Sequence, residues 1–215
     1  MYKLIIFDLD GTLLDTLPDI YTVLNGSLSK FGLPEITLEQ TKKFVGNGAE
    51  KLVKRAVGDS VLFEEVYADY SVQFPECGNA NTKLFEGEKE VLKELRNCGV
   101  NFAVITNKPQ RAAERVMAKF FGDIGFDFII GQSDKHPLKP DPTSALAIIK
   151  STGLNKSECL FVGDGETDVQ TARGAGIDCV SVLWGYRSRE ELEKVGAKHF
   201  ANDWRELEKF AKKLL

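Results

Sequence analysis

Two aspartates, Asp8 and Asp10, stand at the end of an apolar run that begins at Leu4, and Gly11 follows them. Side chains two residues apart on an extended chain point to the same face, and a glycine directly afterwards suits a sharp turn. Comparable polar groups end two other apolar runs. Thr106 and Asn107 follow Phe102, and Asp164 and Asp168 follow Leu160, while Lys139 lies in the stretch that leads to the third run. Clustered carboxylates repel one another and hold their protons more tightly unless a cation neutralises them. A hard divalent cation with oxygen ligands is the natural partner, and magnesium, bound through one or two carboxylates plus phosphate, suits this count. Lys139 offers a compact positive charge and Thr106 a hydroxyl donor, both suited to phosphoryl oxygens.

A fold must bring these distant groups together. Short apolar runs recur at Leu4 to Leu9, Phe102 to Thr106, Phe126 to Ile130, Leu160 to Gly163 and Cys179 to Leu183, too continuous for half-exposed strands. Parallel strands buried on both faces read this way. Between them Val91, Leu92 and Leu95, and later Ala145, Leu146 and Ile149, mark helical faces. The class expected is α/β, a parallel sheet flanked by helices, with ligands bound beyond the carboxyl ends of the strands. The segment 16–79 breaks this rhythm. Ile20, Val23, Leu24, Leu28 and Phe31 have helical spacing, and further helices are expected over Leu38 to Val45, Ala49 to Val57 and Val61 to Phe74. Pro75 to Thr82 reads as a return linker. Residues 1–15 and 80–215 should therefore form the α/β unit and 16–79 an inserted all-helical one.

The 28 basic and 32 acidic residues give a net charge of -4, which carries no electrostatic footprint for nucleic acid or an anionic membrane. No apolar stretch approaches the roughly 20 residues that span a bilayer, and the amino terminus lacks a secretory apolar region. A cytoplasmic protein is expected. Cys77, Cys98, Cys159 and Cys179 form no CxxC pair, which argues against zinc and redox motifs and for reduced, mostly buried thiols. His136 and His199 have no evident partner, and Phe120, Phe121, Phe126 and Phe128 read as core.

The run Asp8-Leu9-Asp10-Gly11-Thr12-Leu13-Leu14-Asp15 resembles the first motif of the haloacid dehalogenase (HAD) superfamily. Thr106 at the end of its strand, Lys139 before Pro140, and Gly163-Asp164 with Asp168 resemble the second, third and fourth, in family order across residues 8–168. The resemblance implies a HAD-like Rossmannoid core with a helical cap subdomain and a two-step phosphoryl transfer. Asp8 would attack phosphorus to form an aspartyl-phosphate that water then hydrolyses. Asp10 would be general acid and base, with its backbone carbonyl on magnesium. Asp8 and Asp164 would be the carboxylate ligands of Mg2+, while Thr106, the Asn107 N–H and Lys139 would hold phosphoryl oxygens. Asp168 would stand behind Lys139 or a metal-bound water. Gly165 departs from the Ser common among relatives, which implies a lost hydrogen bond.

The second aspartate, Asp10, distinguishes phosphatases and phosphomutases from dehalogenase and phosphonatase relatives. Ile20 stands where β-phosphoglucomutase-type enzymes carry a hinge histidine, so hydrolysis is favoured over mutase chemistry. Phe44 to Glu50, with Gly46, Asn47 and Gly48 at its centre, resembles the cap loop of phosphoglycolate phosphatases. The helix opening at Ala49 would offer N–H groups to a substrate carboxylate, with Lys42, Lys43 or Lys51 adding charge. The expected substrate is a small phosphorylated metabolite, 2-phosphoglycolate first and pyrophosphate or another small organic phosphate next, acted on by a monomer or weak homo-oligomer. A dinucleotide-binding protein is disfavoured because GxGxxG and GxxxxGK[ST] are both missing. A non-catalytic binding module of the same fold is disfavoured because all four motifs are intact.

Overall fold

The computed structural model describes residues 1–213. Its first strand, β1 (Leu4–Phe7), is buried along its whole length. A two-residue strand β2 (Leu14–Asp15) leads into four helices, α1 (Leu17–Lys30), α2 (Leu38–Phe44), α3 (Ala49–Val57) and α4 (Phe63–Glu76), and β3 (Lys83–Leu84) follows. The remainder alternates: α5 (Glu88–Asn97), β4 (Asn101–Pro109), α6 (Gln110–Phe121), β5 (Phe128–Gln132), α7 (Thr143–Thr152), β6 (Cys159–Gly163), α8 (Glu166–Ala175), β7 (Asp178–Val182), α9 (Arg189–Lys194), β8 (His199–Ala201) and α10 (Trp204–Ala211).

Six strands form one sheet in the order β5-β4-β1-β6-β7-β8, and every pairing is parallel. Its two faces follow from alternation along the strands. Ile5, Phe7, Phe102, Val104, Leu160 and Val162 pack into one apolar cluster. Leu4, Ile6, Ala103, Ile105, Cys159 and Phe161 fill the other. Register places Phe7 opposite both Val104 and Val162, so β1 and β6 end near one level of one rim while β4 runs on past it to Pro109. That is also where strand order reverses about β1, the place where open α/β sheets leave a crevice.

The four helices pack around a third apolar cluster that includes Ile20, Leu24, Leu28, Leu52, Val53 and Tyr70. Ala112 of α6 joins this cluster and carries it onto the sheet-bearing part of the chain. The α2 start has the capping box that Thr37 and Gln40 allow. The chain passes between the two parts through the antiparallel pair β2·β3. Beside that pair, buried Asp19 accepts from the Asn81 backbone N–H at 3.1 Å and from the Thr82 hydroxyl at 2.6 Å, which ties the first turn of α1 to the returning chain just before β3.

Several boundaries differ from the sequence reading. The strand expected at Phe126 begins at Phe128, because the Phe126 ring packs against Phe7, Phe102 and Phe121 instead of joining the ladder. Pro75 lies inside α4 rather than in a linker, since a proline in the last turn costs only one hydrogen bond. Of the four free thiols only Cys159 is buried; Cys77 and Cys179 are half-buried and Cys98 is exposed. Among the described residues no helix is long and apolar enough to cross a membrane.

Candidate active site

Asp8 and Asp10 leave β1 into a turn whose shape depends on Gly11, at φ 86°. A Cβ there would lie 2.5 Å from Asp164 Oδ2, so glycine is needed for the close approach as well as for the positive φ. Asp164 follows β6, and its oxygens accept from the Thr12 hydroxyl at 2.9 Å and from the Tyr186 backbone N–H at 2.7 Å. Asp168 lies in the first turn of α8, fully buried. The carboxylates of Asp8, Asp164 and Asp168 bring oxygens within 4.8 Å of one another.

One ammonium serves this group. Lys139 Nζ lies 2.7 Å from Asp8 Oδ1 and 2.6 Å from Asp168 Oδ1, with its side chain 1% exposed. Burial alone would weaken its hold on the proton, but Asp168 and Asp8 reverse that and hold it well above the usual lysine range. Three carboxylates against one cation leave negative charge uncompensated. Burial, then the charge of Asp168, pushes Asp8 up to about 7 although Lys139 pulls it back. Burial and then Asp8 push Asp164 up to about 6. A divalent cation fits this deficit. Both Asp168 oxygens are engaged, one by Lys139 and the other by the Gly165 N–H at 2.9 Å. Both Asp164 oxygens likewise accept one bond each, whereas among the described residues Asp8 Oδ2 accepts none. The bond from Gly165 also shows how α8 starts without a serine at that position: Asp168 reaches back to cap it.

Asp10 is held on one side only. Its Oδ1 accepts from the Thr16 hydroxyl at 2.6 Å and from Lys108 Nζ at 2.8 Å, and among the described residues nothing donates to Oδ2. Thr106 is buried at the end of the apolar part of β4. The Asn107 side chain, also buried, clamps two segments. Its Nδ2 donates to the carbonyls of Gly46 (3.0 Å) and Lys139 (3.1 Å), and its Oδ1 accepts from the Lys139 N–H at 2.7 Å.

These groups surround a cavity of about 60 Å³ between the sheet rim and the four helices. Asp8, Asp10, Thr106, Asn107 and Asp164 line its base; Ile20, Leu52, Tyr70 and Phe74 line the helical side. Gly46 and Gly48 also line it, but Asn47 does not, because its side chain accepts from Arg55 Nη2 at 2.7 Å. Nor do Lys42, Lys43 or Lys51 reach it; Lys43 and Lys51 are exposed, and half-buried Lys42 gives only its carbonyl to a neighbour. The cationic side chains on the lining are Lys108 and Arg187, which sequence reasoning missed. Arg187 donates to Glu166 and to the carbonyls of Lys42 (3.0 Å) and Val45 (2.7 Å). Its two carbonyl partners are more than a hundred residues away, beyond any local signal. His136 and His199 lie off the lining; the His199 ring sits 5.0 Å from Phe210.

The profile of the family described as haloacid dehalogenase-like hydrolase matches residues 5–182. The chain belongs to this family. Among HAD hydrolases it is similar to phosphoglycolate phosphatase 1 of Pseudomonas aeruginosa, 35% identical over 86% of this chain and 70% of that one. It is 34% identical to the phosphoglycolate phosphatase of Pseudomonas putida, over 95% of this chain and 78% of the relative. A crystal structure of a Lactobacillus delbrueckii subsp. bulgaricus protein, proposed to be a phosphoglycolate phosphatase, superposes with a TM-score of 0.91 at 31% identity, covering 98% of each chain. The HAD core and its inserted helices are thus shared along nearly the whole length.

Proposed function

We propose that this HAD hydrolase is a magnesium-dependent phosphomonoesterase whose substrate is 2-phosphoglycolate, acting through an aspartyl-phosphate on Asp8. The observation that carries this is the convergence of Asp8 and Asp164, on the lining of a small cavity that Asp10 shares, with Lys139 buried against Asp8 behind them. Residues 1–15 and 80–215 act as the catalytic unit, and 16–79 as a cap that excludes water and bulky esters. Asp8, through the oxygen that Lys139 does not hold, attacks phosphorus as the bond to the glycolate oxygen breaks. Asp10, restrained through Oδ1, carries the proton on Oδ2. It gives that proton to the leaving alkoxide, then takes one from the water that attacks the aspartyl-phosphate. Lys139, the Thr106 hydroxyl and the Asn107 N–H hold the phosphoryl oxygens as charge develops on them. Asp8, Asp164 and the Asp10 carbonyl would hold magnesium, which would supply further charge stabilisation at the phosphoryl group.

The substrate assignment draws on the relatives named above, on the small cavity, and on the Gly46 and Gly48 backbone at the α3 start, where unpaired N–H groups suit an anion. Comparing kcat/KM over a panel of phosphate esters, with and without Mg2+, tests it. The expected outcome is Mg2+-dependent hydrolysis with 2-phosphoglycolate ahead of hexose phosphates, nucleotides and pyrophosphate, and none in Asp8→Asn. A preference for hexose phosphates or nucleotides would rule out the substrate, and activity surviving Asp8→Asn would rule out the mechanism.

A further inference from the structure

Lys108 is a buried cation with unfilled hydrogen-bonding capacity. Its side chain is 1% exposed, and among the described residues its Nζ has Asp10 Oδ1, at 2.8 Å, as its one hydrogen-bond acceptor. An ammonium has three donors. The Phe74 ring, with its centroid 4.4 Å away, offers an attractive face without accepting a full hydrogen bond. The ammonium lines the cavity where the helical side turns apolar, with Ile20, Leu52, Tyr70 and Phe74 around it. A charge so placed is stabilised when further acceptors fill its remaining donors, best of all anionic ones. Arg187, the other cation on the lining, uses three of its five donors on Glu166 and the carbonyls of Lys42 and Val45, which anchors its guanidinium to the cap backbone.

Position narrows the ligand further. Lys108 lies two residues beyond Thr106, close enough that its backbone N–H donates to the Thr106 hydroxyl oxygen at 3.2 Å. The ammonium itself contacts Asp10 Oδ1, and Asp10, Thr106 and Lys108 line one cavity of about 60 Å³, so an anion on Lys108 sits a short reach from the phosphoryl group. We propose that the Lys108 ammonium recognises a carboxylate on the substrate and so selects short phosphorylated carboxylic acids over uncharged phosphate esters. This deepens the phosphoglycolate reading and rests on it. In this arrangement the carboxylate lies between Lys108 on the sheet rim and the start of α3 on the cap, so the cap lysines take no part in selectivity.

Steady-state kinetics with 2-phosphoglycolate and 2-hydroxyethyl phosphate, which replaces the carboxylate with an alcohol, test this in Mg2+ buffer. Wild type should prefer the carboxylate ester. Lys108→Met, which keeps the length of the side chain without the charge, should cut the ratio of the two kcat/KM values at least tenfold, mainly through KM for 2-phosphoglycolate. Lys108→Gln should do the same and serves if the methionine variant does not fold. Equal losses on both esters with the ratio intact would overturn the assignment and leave Lys108 acting through Asp10 alone. A wild type with no preference between the esters would instead remove the substrate reading beneath it.

Discussion

Asp8 and Asp164 carry more negative charge than their surroundings neutralise, with burial raising them to about 7 and about 6. Protons therefore compete with a cation for the same oxygens near neutral pH. Because the folded protein holds these protons more tightly than the unfolded chain, stability present at low pH is lost as pH rises through these values in the metal-free protein. Magnesium, which needs the deprotonated form, should restore it. Titration calorimetry is expected to show Mg2+ affinity falling as pH drops from 8 to 5.5, by up to about tenfold per unit for each proton displaced. The Mg2+-induced rise in Tm should shrink in parallel. An affinity independent of pH over that range would mean that these carboxylates do not bind the ion. Asp8 and Asp164 were legible in the sequence because each follows a short apolar run, where chain direction alone fixes the rim it faces, while Lys139, separated from β6 by α7, was read from its place before Pro140 in the motif resemblance. Lys108 and Arg187 were not. Lys108 pairs with Asp10 across 98 residues of sequence, and nothing local marks it.

Polar ties hold the helices over the cavity from two sides, and α4 is bound to α6 by the Arg111–Glu76 and Arg115–Glu76 ion pairs. Arg187 bonds the carbonyls at the end of α2, and Asn107 bonds the Gly46 carbonyl in the loop that follows. Helix C-termini leave carbonyls without intrahelical partners, so a guanidinium is well matched to them. Arg187→Ala should loosen this closure at a cost of about 1–3 kcal/mol, typical of charged hydrogen bonds. Hydrogen exchange across 42–48 is expected to accelerate, and KM for small esters to rise by more than kcat falls. Unchanged exchange there would show that the remaining ties, Asn107 to the Gly46 carbonyl among them, hold the loop without Arg187. The helices were legible from apolar spacing, whereas the β2·β3 pair, two residues in each strand, is too short to leave a pattern. The same applies to β8, three residues whose role is set by pairing with β7.

Among the described residues one buried acid outside the site leaves a carboxylate oxygen unpartnered. Glu88, at the start of α5, is fully buried, accepts from the Phe85 N–H at 3.1 Å through Oε2, and leaves Oε1 without a partner. Burial pushes it up to about 9, against smaller opposing effects from the Phe85 N–H and Lys89. Its folded-state value lies above the unfolded one, so the stability it allows below about pH 4.5 drains away as pH rises towards 9. Glu88→Gln removes this dependence. The variant's stability relative to wild type should improve steadily from pH 5 to 9, by on the order of a few kcal/mol, and level off beyond. Denaturant melts at spaced pH values check this, and a constant difference would mean that Glu88 is ionised in the fold. No sequence signal marked this residue, since an acid in the first turn of a helix ordinarily faces water.

Covalent capture at position 8 tests the central claim most directly. Borohydride added during Mg2+-supported turnover reduces an aspartyl-phosphate to homoserine, and peptide mass spectrometry locates it. Homoserine at position 8, dependent on substrate and missing from Asp8→Asn, is the predicted result. Continued turnover with Asp8 unmodified, or capture at another carboxylate, would contradict it.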